Sequence, residues 1–148
     1  MKLFLQIAIL FFVSCNSNNE KKIVTSNQNK IAVAPVYYPA NKSPLENSTP
    51  TLTLEYIVWG CACANWITKE DYKKYQDTGS LSDHCIFIEP ADSILQILDS
   101  TDFRLYNLRL TGNFYTEKGY PENYSKTEEV VEAARVFRYT AYKILNKK

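Results

Sequence analysis

Alternation of apolar and polar side chains is sharpest between Tyr106 and Phe114. Tyr106, Leu108, Leu110, Gly112 and Phe114 fall on one side, and Asn107, Arg109, Thr111 and Asn113 on the other. A period of two sends successive side chains to opposite faces, so this segment predicts a β-strand with one buried side. Gly112 on that side predicts a bend or a close backbone approach. Leu52 to Trp59 alternates too, with Leu52, Leu54, Tyr56 and Val58 against Thr53, Glu55, Ile57 and Trp59. Cys85 to Glu89 is apolar on both sides and runs into Pro90, the pattern of a central strand closing into a turn. Val136 to Leu145 predicts the closing strand, with Phe137, Tyr139 and Ala141 together opposite Arg138, Thr140 and Tyr142. Ile94 to Leu98 fits a short fifth strand or a helical turn.

Two short helices are marked by their ends. Thr68 to Asp71 has the form of a capping box, Tyr72 and Tyr75 share a face, and Gly79 supplies a stop. The second helix is expected from Ser125, with Glu128 three residues on, through Val130, Val131 and Ala134 to Arg135. The chain is therefore expected to be mainly β with some α: a small, partly open barrel of the oligonucleotide/oligosaccharide-binding type, or an antiparallel sheet with two short helices. That resemblance is one of element order and carries no functional residues.

Residues 1–14 follow a different pattern. Lys2 leads into an apolar run from Leu3 to Val13, broken only by Gln6. A bilayer core of about 30 Å needs about 20 apolar residues, so this run is too short to span but suits the apolar region of a secretory signal. Its ending, Phe12-Val13-Ser14-Cys15, resembles the lipobox of bacterial lipoproteins, with Phe12 where that family usually has leucine. The resemblance implies cleavage before Cys15, acylation of its thiol and new amine with palmitate-type chains, and a membrane anchor. Asn16 rather than an acidic residue then favours the outer membrane.

Residues 15–51 are rich in asparagine and carry Pro35, Pro39, Pro44 and Pro50 but no glycine, which predicts a disordered tether. Within it, Ile31 to Tyr38 has the composition to add a strand to a neighbouring edge. The globular domain is expected over residues 52–148. GNFYTEKGYP (112–121) and VFRYTAYKIL (136–145) resemble a domain carried by small bacterial lipoproteins, which implies the same anchored, barrel-like architecture and no assigned activity.

The whole chain has 17 basic and 16 acidic residues, and loss of Lys2 with the signal leaves 16 of each. No electrostatic footprint for nucleic acid remains. The partners expected are the membrane, through the lipid, and an envelope protein, peptide or glycan.

Chemistry is concentrated in the cysteines. With Cys15 acylated, Cys61, Cys63 and Cys85 remain, and an oxidising envelope favours one bridge and one free thiol. On an extended strand, residues two apart have Cα atoms about 6.5 Å apart, which disfavours a Cys61–Cys63 bridge. Cys85 is thus expected to pair with Cys61 or Cys63, closing a loop that contributes about 3 kcal/mol in the chain-entropy model. The alternative is a zinc or copper site, or a thiol-redox site, on Cys61, Cys63, Cys85 and His84, the single histidine. Otherwise no cofactor is expected. Adjacent His84 and Cys85 would need a bulge or loop to converge. No G-x-S-x-G elbow accompanies His84, and Glu55, Glu89 and Glu117 have no spacing that pairs them for sugar hydrolysis, so an enzyme is not expected. Trp59, Trp66, Tyr115 and Tyr120 are the candidate binding residues, with Tyr124, Tyr139 and Tyr142, as an aromatic platform; half-buried strand positions explain the same tyrosines without a ligand.

Overall fold

The computed structural model describes residues 38–122, 124 and 130–147. The signal segment and the strand-prone stretch from Ile31 to Tyr37 lie outside the described residues. Five strands form one sheet: β1 Thr51–Tyr56, β2 Trp66–Thr68, β3 Ile86–Pro90, β4 Tyr106–Phe114 and β5 Arg135–Asn146. They close in the order β1-β2-β3-β5-β4 and back to β1. Every pairing is antiparallel except β3 with β5. The sheet is mixed and ring-like, which fits the mainly β class with some α expected from the sequence, with one α-helix in place of the two expected. Among the described residues no helix is long and apolar enough to cross a membrane.

The α-helix α1, Lys69–Tyr75, follows β2. It begins where the capping pattern placed it: Thr68 is extended, its hydroxyl oxygen accepts from the Asp71 amide at 3.0 Å, and it donates to the Asp71 carboxylate at 2.9 Å. Gly79, with φ of 76°, turns the chain out of that region. The stretch Ile94–Leu98 resolves as a turn rather than a strand, with a 3₁₀ segment Ser93–Leu95 capped by Asp92. The second expected helix differs: residues 125–129 lie outside the described residues, Val130–Ala133 are not helical, Ala134 bridges to Gly119 and Arg135 already opens β5.

Two apolar clusters lie on opposite sides of the strands. The interior cluster holds Leu54, Trp66, Ile86, Leu108, Leu110 and Phe137 with their neighbours, and Leu95, Ile97 and Phe103 from the β3–β4 connection close one end of it. The second holds Ile67, Cys85, Phe87, Val131 and Val136, so β2, β3 and the first half of β5 are buried on both faces. That is the two-sided burial predicted for Cys85 to Glu89.

β5 does not keep the simple alternation expected for it. Thr111 pairs with Ala141 but Gly112 pairs with Tyr139, so Thr140 is an extra residue on β5. A bulge of this kind reverses the side-chain parity beyond it. Tyr142 and Ile144 therefore join the side of Phe137 and Tyr139, and the Tyr139 and Tyr142 rings meet edge to face at 6.1 Å. Ala141 moves to the opposite side.

Residues 38–50, read from composition as the end of the tether, pack onto the sheet. The Glu46 amide donates to the Phe114 carbonyl at 2.8 Å, the Thr116 amide to the Pro44 carbonyl and the Asn41 amide to the Tyr120 carbonyl, both at 2.9 Å. The Asn113 side-chain amide donates to the Glu46 and Ser48 carbonyls. Composition missed this because the segment contributes backbone pairing rather than an apolar face of its own.

Candidate functional site

The outer face of β2 and β3 lies between the β1–β2 and β4–β5 loops. Here that face is covered by those same loops. Residues 57–65 fold down with Trp59, whose indole donates to the Ala64 carbonyl at 2.9 Å. From the other side, Tyr115, Tyr120 and Tyr124 pack over Phe87 and Val136, joined by Tyr38. The ring centroids of Tyr38 and Tyr120 are 4.5 Å apart, those of Tyr120 and Tyr124 5.3 Å, and those of Phe87 and Tyr124 5.2 Å.

The phenol groups are committed as well. Tyr120 donates to the Val131 carbonyl at 2.6 Å, Tyr124 donates to the Ala62 carbonyl, and Tyr38 accepts from the Val131 amide at 2.9 Å. The expected aromatic set is thus divided. Trp59, Tyr115 and Tyr120 belong to the outer cluster, while Trp66 is buried in the barrel interior against Tyr56 and Phe103. Burial drives the Tyr115 and Tyr124 phenols up to about 12, the Glu89 carboxylate adding to the effect at Tyr115, and burial does the same for Tyr139. A phenol near 10 in the unfolded chain and near 12 in the fold stabilises fully below pH 10 and loses that contribution as pH rises to about 12. Stability measured by urea titration is expected to be flat up to about pH 10 and to fall above it, with tyrosinate absorbance rising in step with unfolding.

Glu89 is the buried charged residue among those described. It projects from β3 to the outer side, directly across from Arg138 in the β3–β5 register. Its Oε1 accepts from the Tyr115 hydroxyl at 2.6 Å and its Oε2 from the Glu122 amide at 2.9 Å, with Arg138 Nε 3.8 Å away. A second Arg138 nitrogen donates to the Ala91 carbonyl at 3.1 Å. A cleft of about 250 Å³ beside it is lined by Ile88, Pro90, Gln96, Pro121, Glu122 and Tyr124. Both carboxylate oxygens are engaged by the chain's own donors, so the arrangement ties the β4–β5 loop to β3. Glu55 and Glu117 do not line this cleft, and the sequence-proposed carboxylates are not brought together there. The sequence signal for Glu89 was its position as the lone charge in Cys85 to Pro90.

The cysteines depart from expectation. Cys61 is bridged to Cys63, with Cα atoms 5.3 Å apart, and Cys85 is a free, buried thiol. Such a bridge is disfavoured only where the chain is extended. β1 ends at Tyr56, and the bend through 60–63 shortens the Cα separation into the range a bridge needs. Burial holds the Cys85 thiol up at about 11, against 9.0 when free, and its sulfur contacts the Leu81 carbonyl. His84 stacks flat on Tyr75 at 3.4 Å. Cys61, Cys63, His84 and Cys85 do not converge, and among the described residues no group of three metal-ligating side chains is found.

Because the bridge closes so short a loop, its reduction is expected to cost only about 1.5 kcal/mol in the chain-entropy model, half the value for a bridge to Cys85. Of Cys61, Cys63 and Cys85, none is expected to react with iodoacetamide in the native oxidised protein. One reacts after denaturation and three after denaturation with reductant. A mass increment for any of these three in the native oxidised state would contradict the assignment.

Comparison of the chain with protein-family models, with curated proteins and with solved structures finds no match.

Proposed function

We propose that this chain is a lipid-anchored protein of a bacterial envelope, held by acylated Cys15, that presents its barrel as a module for binding another polypeptide. The observation that carries the reading is the N-terminal pattern: Lys2, an apolar run too short to span, and Ser14-Cys15 at its end. Several buried acyl chains at about 0.8 kcal/mol per methylene make such an anchor effectively permanent. Residues 16–37 then separate the lipid from the first described residue by at most roughly 75 Å. A binding module rather than an enzyme is supported by the site chemistry: the Glu89 carboxylate is saturated, the Cys85 thiol is protonated at neutral pH, and His84 is stacked. A polypeptide partner is favoured over a glycan because the rings that would stack on sugars pack against one another. The outer membrane is the expected location.

The test is metabolic labelling with palmitate in a bacterial host, followed by membrane fractionation. Label on the wild-type chain, with both label and membrane retention lost in Cys15→Ser, is the expected result. An unlabelled chain, or a label that survives Cys15→Ser, would end the reading.

A further inference from the structure

The barrel ring is complete only over half of β5. β3 pairs with β5 from Arg135 to Tyr139 and stops at Pro90, after which the Ala91 amide donates to the Tyr139 carbonyl and the chain turns away into the Ser93–Leu95 segment. Beyond the Thr140 bulge, Ala141–Asn146 pair with β4 on one side, and among the described residues no strand pairs with the other. Among the described residues, this stretch therefore presents a row of backbone donors and acceptors without a strand partner. Its two faces differ. On the interior side, Tyr142 and Ile144 are each 39% exposed, and Ile144 borders a cleft of about 490 Å³ with Leu105, Tyr106, Ser100, Thr101 and Asp102, whose carboxylate is paired with Arg104. On the outer side, Lys143 lies directly across from Arg109, which is flanked on β1 by Thr53. Two like charges side by side across strands are unfavourable by themselves, and among the described residues neither has an acidic partner.

We infer that Ala141–Asn146 is a docking edge for an extended acidic peptide segment, which adds as a strand to β5 with apolar residues against Tyr142 and Ile144 and carboxylates beside Lys143, whose charge Arg109 on β4 reinforces. Backbone pairing supplies the attachment and the alternate side chains supply the choice of partner. The two cations disfavour self-pairing of the edge, since a second copy brings the same cations to it. The half-exposed Tyr142 and Ile144 on one face and unneutralised charge on the other fit a segment that itself alternates apolar and acidic residues. The inference rests on reading the domain as an interaction module and is independent of the lipid.

The test uses the full chain in detergent micelles with a synthetic peptide of about seven residues alternating isoleucine and glutamate, the length of an ordinary strand. Its counterpart replaces each glutamate with lysine. Amide hydrogen exchange is expected to slow in Ala141–Asn146 when the acidic peptide is added. The acidic peptide should bind at least about tenfold more tightly than the basic one at low salt, with the difference shrinking as salt rises. Lys143→Glu, an exposed substitution that leaves the fold intact, should reverse the order of the two peptides. Equal binding of both peptides, no protection in Ala141–Asn146, or protection already present without peptide would overturn the inference. So would a dimer of the wild-type chain in sedimentation equilibrium whose formation slows exchange in Ala141–Asn146, because the occupant is then a second copy. Failure here with acylated Cys15 leaves the anchor standing, whereas edge binding with unacylated Cys15 removes only the anchor.

Discussion

Gly112→Ala is expected to destabilise the domain by about 3 kcal/mol or more, among the largest losses for a single methyl group. A Cβ built on Gly112 meets the Arg138 carbonyl oxygen at 2.1 Å, the Tyr139 Cα at 2.7 Å and the Arg138 carbonyl carbon at 2.9 Å. All three are backbone atoms of β5 at the point where the β4–β5 register shifts, so no side-chain rotation can relieve the contact. The strands must separate there, and Phe114 and Phe137, packed edge to face at 4.9 Å just beyond, would separate with them. Thermal unfolding should show a fall of more than about 10 °C for a domain of this size. Gly60→Ala is the control: nothing lies within 4 Å of the added atom, so the expected change is within about 0.5 kcal/mol. Equal effects for the two would mean that the strands do not approach so closely at Gly112.

Glu89→Ala is the second large effect, with an expected loss of about 3 kcal/mol in urea denaturation. The truncation leaves the Tyr115 hydroxyl and the Glu122 amide without an acceptor and Arg138 without its facing carboxylate. Each unsatisfied buried donor costs about 1–3 kcal/mol, and the partial exposure of Arg138 lowers its share. Glu89→Gln retains a carbonyl oxygen for Tyr115 and should lose roughly half as much. The loss should be local as well as global, with faster amide exchange through 115–122, because these contacts hold the β4–β5 loop against β3. A change below about 1 kcal/mol for Glu89→Ala would show that the loop is held by its aromatic packing alone.

The strands whose apolar pattern is strictly local could be read directly. β4 carries its alternation in nine consecutive residues, and the structure begins and ends it at Tyr106 and Phe114. The capping of α1 by Thr68 was equally plain, since a side chain and an amide three residues away decide it. β2 escaped notice because Trp66–Thr68 is three residues long, below the length at which a period can be recognised. Of the candidate site, Glu89 entered the sequence reading only as one of three carboxylates without a pairing, and its partners Tyr115, Glu122 and Arg138 are brought to it by the loop and by the parallel β3–β5 register.

By itself, then, the sequence determined the β-rich class, the main segments of β1, β3, β4 and β5, and that Gly112 marks a bend or a close backbone approach, because each depends on the spacing of neighbouring residues. Only the tertiary structure decided the bridge between Cys61 and Cys63, the bulge at Thr140, the packing of residues 38–50 and the loops that cover the outer face of β2 and β3. Each of these depends on where distant segments meet. A bend relocates a cysteine, one extra residue reverses a strand's faces, and a polar segment gains order by pairing its backbone. None of that leaves a period in the sequence.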